Sequence, residues 1–295
     1  FHSHSPLRTE PMCNHFGVCG GCKWQNMNYQ SQLTYKQKQV RDNLERIAKA
    51  DCSKMMSILP SAIQKEYRNK LEFTFSTKSW KQDYDKDAID NGAFGFHVPG
   101  FFDKVLEIDY CALQSEPSNA IRNHLRDYCT AKSLPYYNIR EHSGLMRNLI
   151  VRTSTTGDVM VIVVFAQRSE EIVPLLENLR ENFPQITSLM YCINEKFNDT
   201  LGDQDIKCFA GKDHIEERMT SFDGKGELRF KIRPKTFYQT NSLQAEKLYH
   251  QAAEFAGITK DDIVYDLYTG CGTIANYVAS LSKKVVGIEY VEDAV

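Results

Sequence analysis

The chain has 295 residues, 42% of them hydrophobic, and a formal net charge of −2 at pH 7. A chain of this length can bury a sizeable core and fits two domains, while its near-neutral charge argues against a strongly basic nucleic-acid-binding protein. Its longest apolar run, around Val159–Ala166, is far too short to span a bilayer, and it has no basic-then-apolar leader. We therefore expect a cytoplasmic, monomeric protein without a membrane partner.

The charge is unevenly distributed along the chain. Residues 1–80 carry 12 Lys and Arg against six Asp and Glu, so the excess negative charge lies in the remainder. A basic segment on a near-neutral chain favours a polyanionic partner, although a solvated helix face would have the same composition.

Three cysteines lie within ten residues near the start of the chain, in "CNHFGVCGGC", with the spacing C-x5-C-x2-C. Three thiolates this close together repel one another unless a cation holds them, and zinc or an iron–sulfur cluster would need a fourth ligand. Zinc sites more often have two separated C-x2-C pairs, so the spacing favours a cluster; zinc and unliganded thiols stay open as alternatives. The candidate ligands are Cys13, Cys19 and Cys22, with a fourth from Cys52, Cys111 or Cys129.

Residues 31–193 alternate between helical and strand patterns, which together predict an α+β domain. The first predicted helix is amphipathic, with Leu33, Val40, Leu44 and Ile47 at helical spacing. The predicted elements are helix Ser31–Ala50, strand Lys70–Thr77, a mobile loop Lys78–Asn91, strand Gly92–His97, helix Glu116–Ala131, a hairpin of Asn148–Thr153 and Val159–Phe165, helix Glu170–Asn182 and strand Thr187–Ile193.

From about residue 233 the pattern changes to a single βαβ unit. The helix Leu243–Ala256 leads to the strand Ile263–Leu267, a glycine-containing loop, the helix Ile274–Leu281 and the strand Val285–Glu289. One βαβ unit cannot cover both faces of its sheet, and residue 1 is Phe. We therefore expect a natural chain that is longer at both ends, by roughly 100 residues or more at the C-terminal end.

Two domains follow from these patterns. Residues 1–232 are predicted to form an α+β domain with the cysteine cluster, and helix 31–50 of this part could pack on the second domain. Residues 233–295 are predicted to form the N-terminal part of an α/β Rossmann-like domain.

The loop "DLYTGCG", Asp266–Gly272, follows a predicted strand and opens a helix. Gly270 and Gly272 let the backbone approach a ligand, and Glu289 ends the next strand, where a carboxylate can accept hydrogen bonds from ribose hydroxyls. The loop also fits the G-x-G-x-x-A dinucleotide pattern, so by itself it does not separate NAD from S-adenosylmethionine, and a turn without ligand is a third interpretation. Asp266 favours the methyl donor, which has no phosphates to be repelled.

Four segments, in this order, resemble the iron–sulfur branch of the RNA 5-methyluridine methyltransferases: "CNHFGVCGGCKWQ", "YRNKLEF", "FYQTN" and "DLYTGCG…VVGIE". The resemblance runs from Cys13 to the last residue. It implies S-adenosylmethionine-dependent methylation of uridine C5 by a Rossmann-like methyltransferase domain that follows an iron–sulfur central domain. Since tRNA-directed relatives in this family lack the cluster, the cysteines favour large-subunit (23S) ribosomal RNA as partner.

The resemblance also implies roles for individual residues. A [4Fe–4S] cluster would be held by Cys13, Cys19, Cys22 and Cys111. The methyl donor would contact Gln239, Tyr268, Thr273 and Glu289, in addition to Gly270, which the loop pattern already indicated. A basic surface for the RNA backbone would include Arg68, Lys70 and Arg147, although each could equally be an ordinary solvated charge.

The family's catalytic residues have no counterpart in this chain. A cysteine that adds to C6 of uracil and a base that removes the C5 proton both fall beyond Val295, and Cys271 is a cofactor-loop residue instead. The target base would have to be unstacked and flipped into the site. The family's N-terminal RNA-binding β-barrel has no room ahead of Cys13. Competing hypotheses are a zinc-stabilised RNA-binding module without methyltransferase activity, and an NAD-dependent iron–sulfur oxidoreductase, which "FYQTN" and Asp266 disfavour.

Overall fold

The structure, a computed structural model, describes residues 3–81 and 90–291. Five helices and eleven strands lie within these ranges. In chain order they are α1 (Tyr29–Arg46), β1 (Lys70–Ser76), β2 (Ala93–His97), β3 (Val105–Glu107), α2 (Ser118–Ala131), β4 (Met146–Thr153), β5 (Val159–Phe165), α3 (Ile172–Asn182), β6 (Ser188–Ile193), β7 (Ile206–Gly211), β8 (Ile215–Thr220), β9 (Glu227–Ile232), α4 (Ser242–Ala256), β10 (Ile263–Leu267), α5 (Thr273–Ala279) and β11 (Lys284–Ile288).

Seven of these strands form one mixed sheet in the order β3-β2-β1-β4-β5-β6-β7. Neighbouring strands are antiparallel, except that β5 and β6, which α3 connects, run parallel. The hairpin predicted around the "TTGD" turn is confirmed as the pair β4–β5. Two smaller sheets follow: β8 and β9 are antiparallel, and β10 and β11 are parallel.

Both faces of the seven-stranded sheet are covered. On one face, apolar side chains of β1, β4 and β5 pack against α2 and α3. On the other face, Ile150 and Ile162 belong to a second core that also includes residues of β8, β9, α4 and α5. The strand β5 is buried along its whole length, which explains its uninterrupted apolar sequence "VMVIVVF". This second core draws on residues from both sides of position 232, and the division into two domains there stays a prediction.

The parallel unit β10–α5–β11 confirms the βαβ pattern predicted from the sequence. Asp266 lies opposite Gly287, so the carboxyl ends of both strands meet at one edge of the small sheet. The loop after β10 and the residue that follows β11, Glu289, are thereby brought together.

The first helix differs from its prediction. It begins earlier because the side chain of Asn28 accepts a hydrogen bond from the backbone N–H of Ser31 (2.9 Å) and caps it. Of its apolar stripe only Leu33 is buried, while Val40 and Leu44 are exposed.

Four strands, β3, β7, β8 and β9, had not been predicted. β3 has only three residues, and β7 and β8 lack a clear alternation of apolar and polar residues, so tertiary pairing decides them. The sequence of β9, "ELRFKI", does alternate, and the sequence analysis missed this signal. Part of the predicted loop Lys78–Asn91, residues 82–89, lies outside the described residues. Within the described ranges, no helix combines the length and the apolar character needed to cross a bilayer.

Candidate functional site

The loop between β10 and α5 has left-handed backbone at three positions, with φ of 61° at Tyr268, 56° at Gly270 and 73° at Gly272. Glycine adopts this conformation freely, whereas for another residue it costs about 1–2 kcal/mol. The Tyr268 side chain is nevertheless 89% exposed, so packing does not explain why the strain is kept. A strained, exposed aromatic side chain at this edge is typical of a ligand contact.

Asp266 organises this loop from the end of β10. Its Oδ2 accepts hydrogen bonds from the Thr269 hydroxyl (2.6 Å) and from the backbone N–H of Ala275 in α5 (3.0 Å). The carboxylate therefore occupies one N–H donor of the helix start, which the pyrophosphate of a dinucleotide would otherwise use.

Glu289 closes the loop from the end of β11. Its Oε2 accepts from the backbone N–H of Gly270 (2.8 Å), and its Oε1 accepts from those of Tyr290 (2.9 Å) and Val291 (2.8 Å). The hydrogen bonds from Val291 and Gly270 hold the pKa of this carboxyl below its usual value. The carboxylate is therefore ionised at neutral pH and lies directly beside the glycine loop.

Tyr249 of α4 connects two further residues predicted to contact the donor. Its hydroxyl lies 3.4 Å from the Thr273 hydroxyl and also interacts with the side chain of Gln239. Burial raises the pKa of Tyr249, so its hydroxyl remains protonated. The sequence analysis missed this residue, although it lies seven positions into the helix that "FYQTN" opens.

Asn69 of "YRNKLEF" holds the segment that carries Gln239. Its Nδ2 donates to the backbone carbonyl of Gln239 (2.8 Å) and to the Ser242 hydroxyl (2.9 Å), and its backbone N–H donates to the carbonyl of Thr240 (2.8 Å). The Ser242 hydroxyl donates in turn to the buried carboxylate of Glu217 (2.8 Å). Two motifs that are far apart in sequence are thus joined by hydrogen bonds.

A cavity of about 790 Å³ lies next to this segment, and all four predicted cluster ligands line it: Cys13, Cys19, Cys22 and Cys111. All four are free cysteines. Burial raises the pKa of both the Cys19 and the Cys111 thiols, and the neighbouring cysteines add to the increase in each case. The fold therefore brings Cys111 into the same cavity as the three N-terminal cysteines, and its role as a ligand stays a prediction.

The metal-ligand geometry expected from the cysteine spacing is not formed. No group of three or more His, Cys, Asp or Glu within residues 3–81 and 90–291 is arranged to hold a metal ion. The donor chemistry nevertheless fits a four-thiolate group, since four thiols face one cavity. The glycine at position 20 allows the loop with Cys19 and Cys22 to pack closely against Pro99. A Cβ at this position would lie 2.1 Å from Pro99 Cγ and would displace the loop.

The alternative fourth ligands lie elsewhere. Cys129 is buried in the first core, where burial raises its pKa to about 12, and Cys52 does not line the cavity.

The candidate RNA contacts separate into two groups. Arg68 and Lys70 line the cavity, together with Arg152, which the sequence analysis missed. Arg147 lies elsewhere, in contrast to the expectation of a surface contact. It is only 1% exposed and donates to the backbone carbonyls of residues 194, 196 and 198 and to the carboxylate of Asp199 (2.6 Å). Through these hydrogen bonds, the guanidinium of Arg147 holds the segment after β6 in place.

No family model matches the chain. The chain is 51% identical over 100% of its length to a protein of Bacteroides thetaiotaomicron, and 48% identical over 99% of its length to one of Porphyromonas gingivalis. Both relatives are named uncharacterized RNA methyltransferases, and the chain spans 65% and 64% of their respective lengths.

A solved structure matches the fold. It is the crystal structure of the Pyrococcus abyssi tRNA (uracil-54, C5)-methyltransferase in complex with S-adenosyl-L-homocysteine. The match covers 99% of this chain and 62% of the other, with a TM-score of 0.71 and 25% sequence identity. In sequence and in fold, the chain is therefore similar over its whole length to a segment that makes up somewhat less than two thirds of these RNA methyltransferases.

Proposed function

We propose that the protein is an RNA methyltransferase that transfers a methyl group from S-adenosylmethionine to C5 of a uridine. The observation that carries this proposal is the loop Tyr268–Gly272 with Glu289 beside it, at the carboxyl edge of the parallel pair β10–β11. One lone pair of Glu289 Oε2 remains to accept a hydrogen bond from a ribose hydroxyl of the donor. The exposed Tyr268 ring can stack on the adenine of the donor. The named activities of the relatives support the same chemistry.

The position of Asp266 argues against NAD as the ligand. Its carboxylate accepts the Ala275 N–H and would repel a pyrophosphate at the start of α5. S-adenosylmethionine has no phosphate and a positively charged sulfur, which the acidic environment of Asp266 and Glu289 favours.

The nucleophile and the base are proposed to come from the part of the relatives that this chain does not match. Cys271 is a poor candidate for the nucleophile, since burial raises the pKa of its thiol and its sulfur lies 3.9 Å from the carbonyl of Phe237. The chain in hand would bind and orient the donor and the RNA. Large-subunit ribosomal RNA is the proposed substrate, as the family resemblance implies, whereas the Pyrococcus abyssi enzyme is named for tRNA.

We further propose that Cys13, Cys19, Cys22 and Cys111 hold a [4Fe–4S] cluster. Bound there, the cluster would supply a covalent tie between the N-terminal segment and Cys111, four residues after the end of β3, with no redox step in methyl transfer. Anaerobic purification should give iron and sulfide in about equal amounts with absorbance near 400 nm. Stoichiometric zinc without sulfide would favour the zinc-stabilised module instead.

The activity is tested with tritiated S-adenosylmethionine and the full-length natural protein. Large-subunit ribosomal RNA should incorporate tritium, and RNA that carries 5-fluorouridine should form a covalent adduct, because fluorine blocks the last proton removal. Incorporation into tRNA alone would identify tRNA, instead of large-subunit ribosomal RNA, as the substrate. No incorporation into either RNA, with no adduct, would favour an RNA-binding module without methyltransferase activity, and tighter binding of NADH than of S-adenosylhomocysteine would favour the oxidoreductase.

A further inference from the structure

Two basic residues lie directly opposite each other in the large sheet. Lys70 of β1 and Arg152 of β4 are paired in the antiparallel register, so their side chains stand on the same face. Like charges at opposed positions destabilise a sheet, unless an anion lies between them. Both side chains line the 790 Å³ cavity, and Arg68 lines it as well.

The guanidinium of Arg152 is bound on one edge only. Its Nη1 donates to the backbone carbonyls of Arg233 (3.0 Å), Pro234 (3.1 Å) and Thr236 (3.0 Å). Its Nε and Nη2 donate to no group in the described part of the chain, and neither atom is fully buried. The residue is only 3% exposed, so this free edge faces the cavity.

The cavity supplies little negative charge to these cations. Among the described residues that line it, Glu72 carries the only carboxylate, and burial raises the pKa of Glu72. Neither Lys70 nor Arg152 forms an ion pair within the described residues. Burial lowers the pKa of both, to about 10 for Arg152, and their mutual repulsion adds to the decrease for Lys70.

The four cysteines that line the cavity are not among the groups that influence the pKa of Lys70 or of Arg152. Cys111 acts electrostatically on Arg122, and Cys13 and Cys22 act on the neighbouring thiols. The thiol that does interact with Arg152 is Cys271 of the cofactor loop. Arg152 binds the carbonyl of Thr236, and the carbonyl of the next residue, Phe237, lies 3.9 Å from the Cys271 sulfur, so the cationic end of the cavity lies near the loop Asp266–Gly272.

We propose that Arg68, Lys70 and Arg152 form a binding site for one phosphodiester group of the RNA, next to the loop Asp266–Gly272. The edge formed by Nε and Nη2 of arginine presents two parallel N–H donors, which match two oxygens of a phosphate. Lys70 adds a point charge from the opposite strand. The inference rests on the proposed RNA substrate and adds to it the contact that holds the RNA strand beside the methyl donor.

The test measures the binding of a fluorescein-labelled RNA hairpin by anisotropy over a series of salt concentrations. Lys70→Gln and Arg152→Gln should each weaken binding on the order of tenfold at low salt, since a charge-assisted contact is lost. The slope of log K against log salt should fall in magnitude by about 0.7–0.9 for each phosphate contact removed. Lys70→Arg should keep the wild-type slope.

Two controls separate this effect from loss of charge or of folding. Arg180→Gln removes one exposed arginine of α3, away from the cavity, and should leave the slope unchanged. Thermal unfolding shows which variants fold. If Arg152→Gln is unfolded, the salt dependence of Lys70→Gln alone tests the phosphate site, because Lys70 does not hold the 233–236 segment.

The outcomes distinguish the inference from the proposed function. A wild-type slope in folded Lys70→Gln, in a protein that methylates RNA, would overturn the phosphate site alone. Loss of S-adenosylhomocysteine affinity with intact RNA binding would also overturn it, because the anion would then be the carboxylate of the donor. A reduced slope in a protein that transfers no methyl group would support the phosphate site and overturn only the proposed function. A wild-type protein that binds no RNA would overturn both.

Discussion

The side-chain amide of Asn69 donates a hydrogen bond of 2.8 Å to the backbone carbonyl of Gln239, across 170 residues of sequence. The same amide holds the Ser242 hydroxyl at the start of α4. The position of Gln239 relative to the glycine loop is therefore set by the residue that directly precedes β1 of the large sheet.

Asn69→Ala should weaken the binding of S-adenosylhomocysteine on the order of tenfold. The substitution removes two hydrogen bonds, each worth about 0.5–1.5 kcal/mol, and frees the segment that carries Gln239. Isothermal titration calorimetry measures the change. Asn148→Ala is the matched control, since Asn148 bonds to the Thr74 hydroxyl (3.2 Å) within the same sheet. Equal losses in both variants would show a general loss of stability instead of a role in positioning.

Glu289→Gln should also weaken S-adenosylhomocysteine binding on the order of tenfold, because a charge-assisted hydrogen bond to the ribose becomes a neutral one. The pKa of Glu289 is lowered by its backbone donors, so the carboxylate stays ionised below the usual range of a glutamate. Wild-type affinity should therefore be flat from pH 8 down to about pH 5 and fall only below about pH 4.3. A decline already near pH 6, measured by calorimetry, would contradict the assignment of this carboxylate to the ribose.

Tyr268→Gly should separate stability from binding. Glycine relieves the left-handed backbone at this position, where φ is 61°, so the melting temperature should stay equal or rise compared with Tyr268→Ala. Affinity for S-adenosylhomocysteine should fall in both variants, since both lose the aromatic ring. If both variants bind as tightly as the wild type, Tyr268 does not contact the donor.

Cys111→Ala should abolish the iron and sulfide content of anaerobically purified protein, whereas Cys52→Ala and Cys129→Ala should retain it. Cys111 lines the cavity with the N-terminal cysteines, and the other two thiols do not. Cys129→Ala removes a buried thiol from the first core and should lower stability without affecting iron. Full iron content in Cys111→Ala would assign the fourth ligand to another residue.

Lys70→Met should stabilise the RNA-free protein at pH 7 by about 0.2–1 kcal/mol, because it removes a like-charge pair with Arg152. The folded pKa of Lys70 lies below its unfolded value, so charging this lysine opposes folding. The cost is fully present below the folded pKa and is lost as pH rises towards the unfolded pKa near 10.4. Urea unfolding at pH 7 and pH 10 should therefore show a smaller gain at the higher pH. A destabilised variant at pH 7 would mean that Lys70 is compensated in the free protein.

Local patterns were sufficient to predict the elements with strong periodicity. The hairpin β4–β5, the helices α2, α3 and α4, and the unit β10–α5–β11 follow from apolar spacing and turn residues that act over short distances. The glycine loop and Glu289 could be paired from the sequence alone, because the carboxyl ends of adjacent parallel strands always meet at one edge.

The residues proposed to carry the chemistry could all be named from local sequence motifs: the thiols, the glycine loop, the acidic residue after β11 and the motif residues around Gln239. Which of these residues lie close together depends on the three-dimensional fold. The cross-strand register places Arg152 opposite Lys70, whereas burial turns Arg147 inward to hold the chain after β6. These placements depend on pairing between strands that lie far apart along the chain, and local spacing carries no information about such long-range contacts.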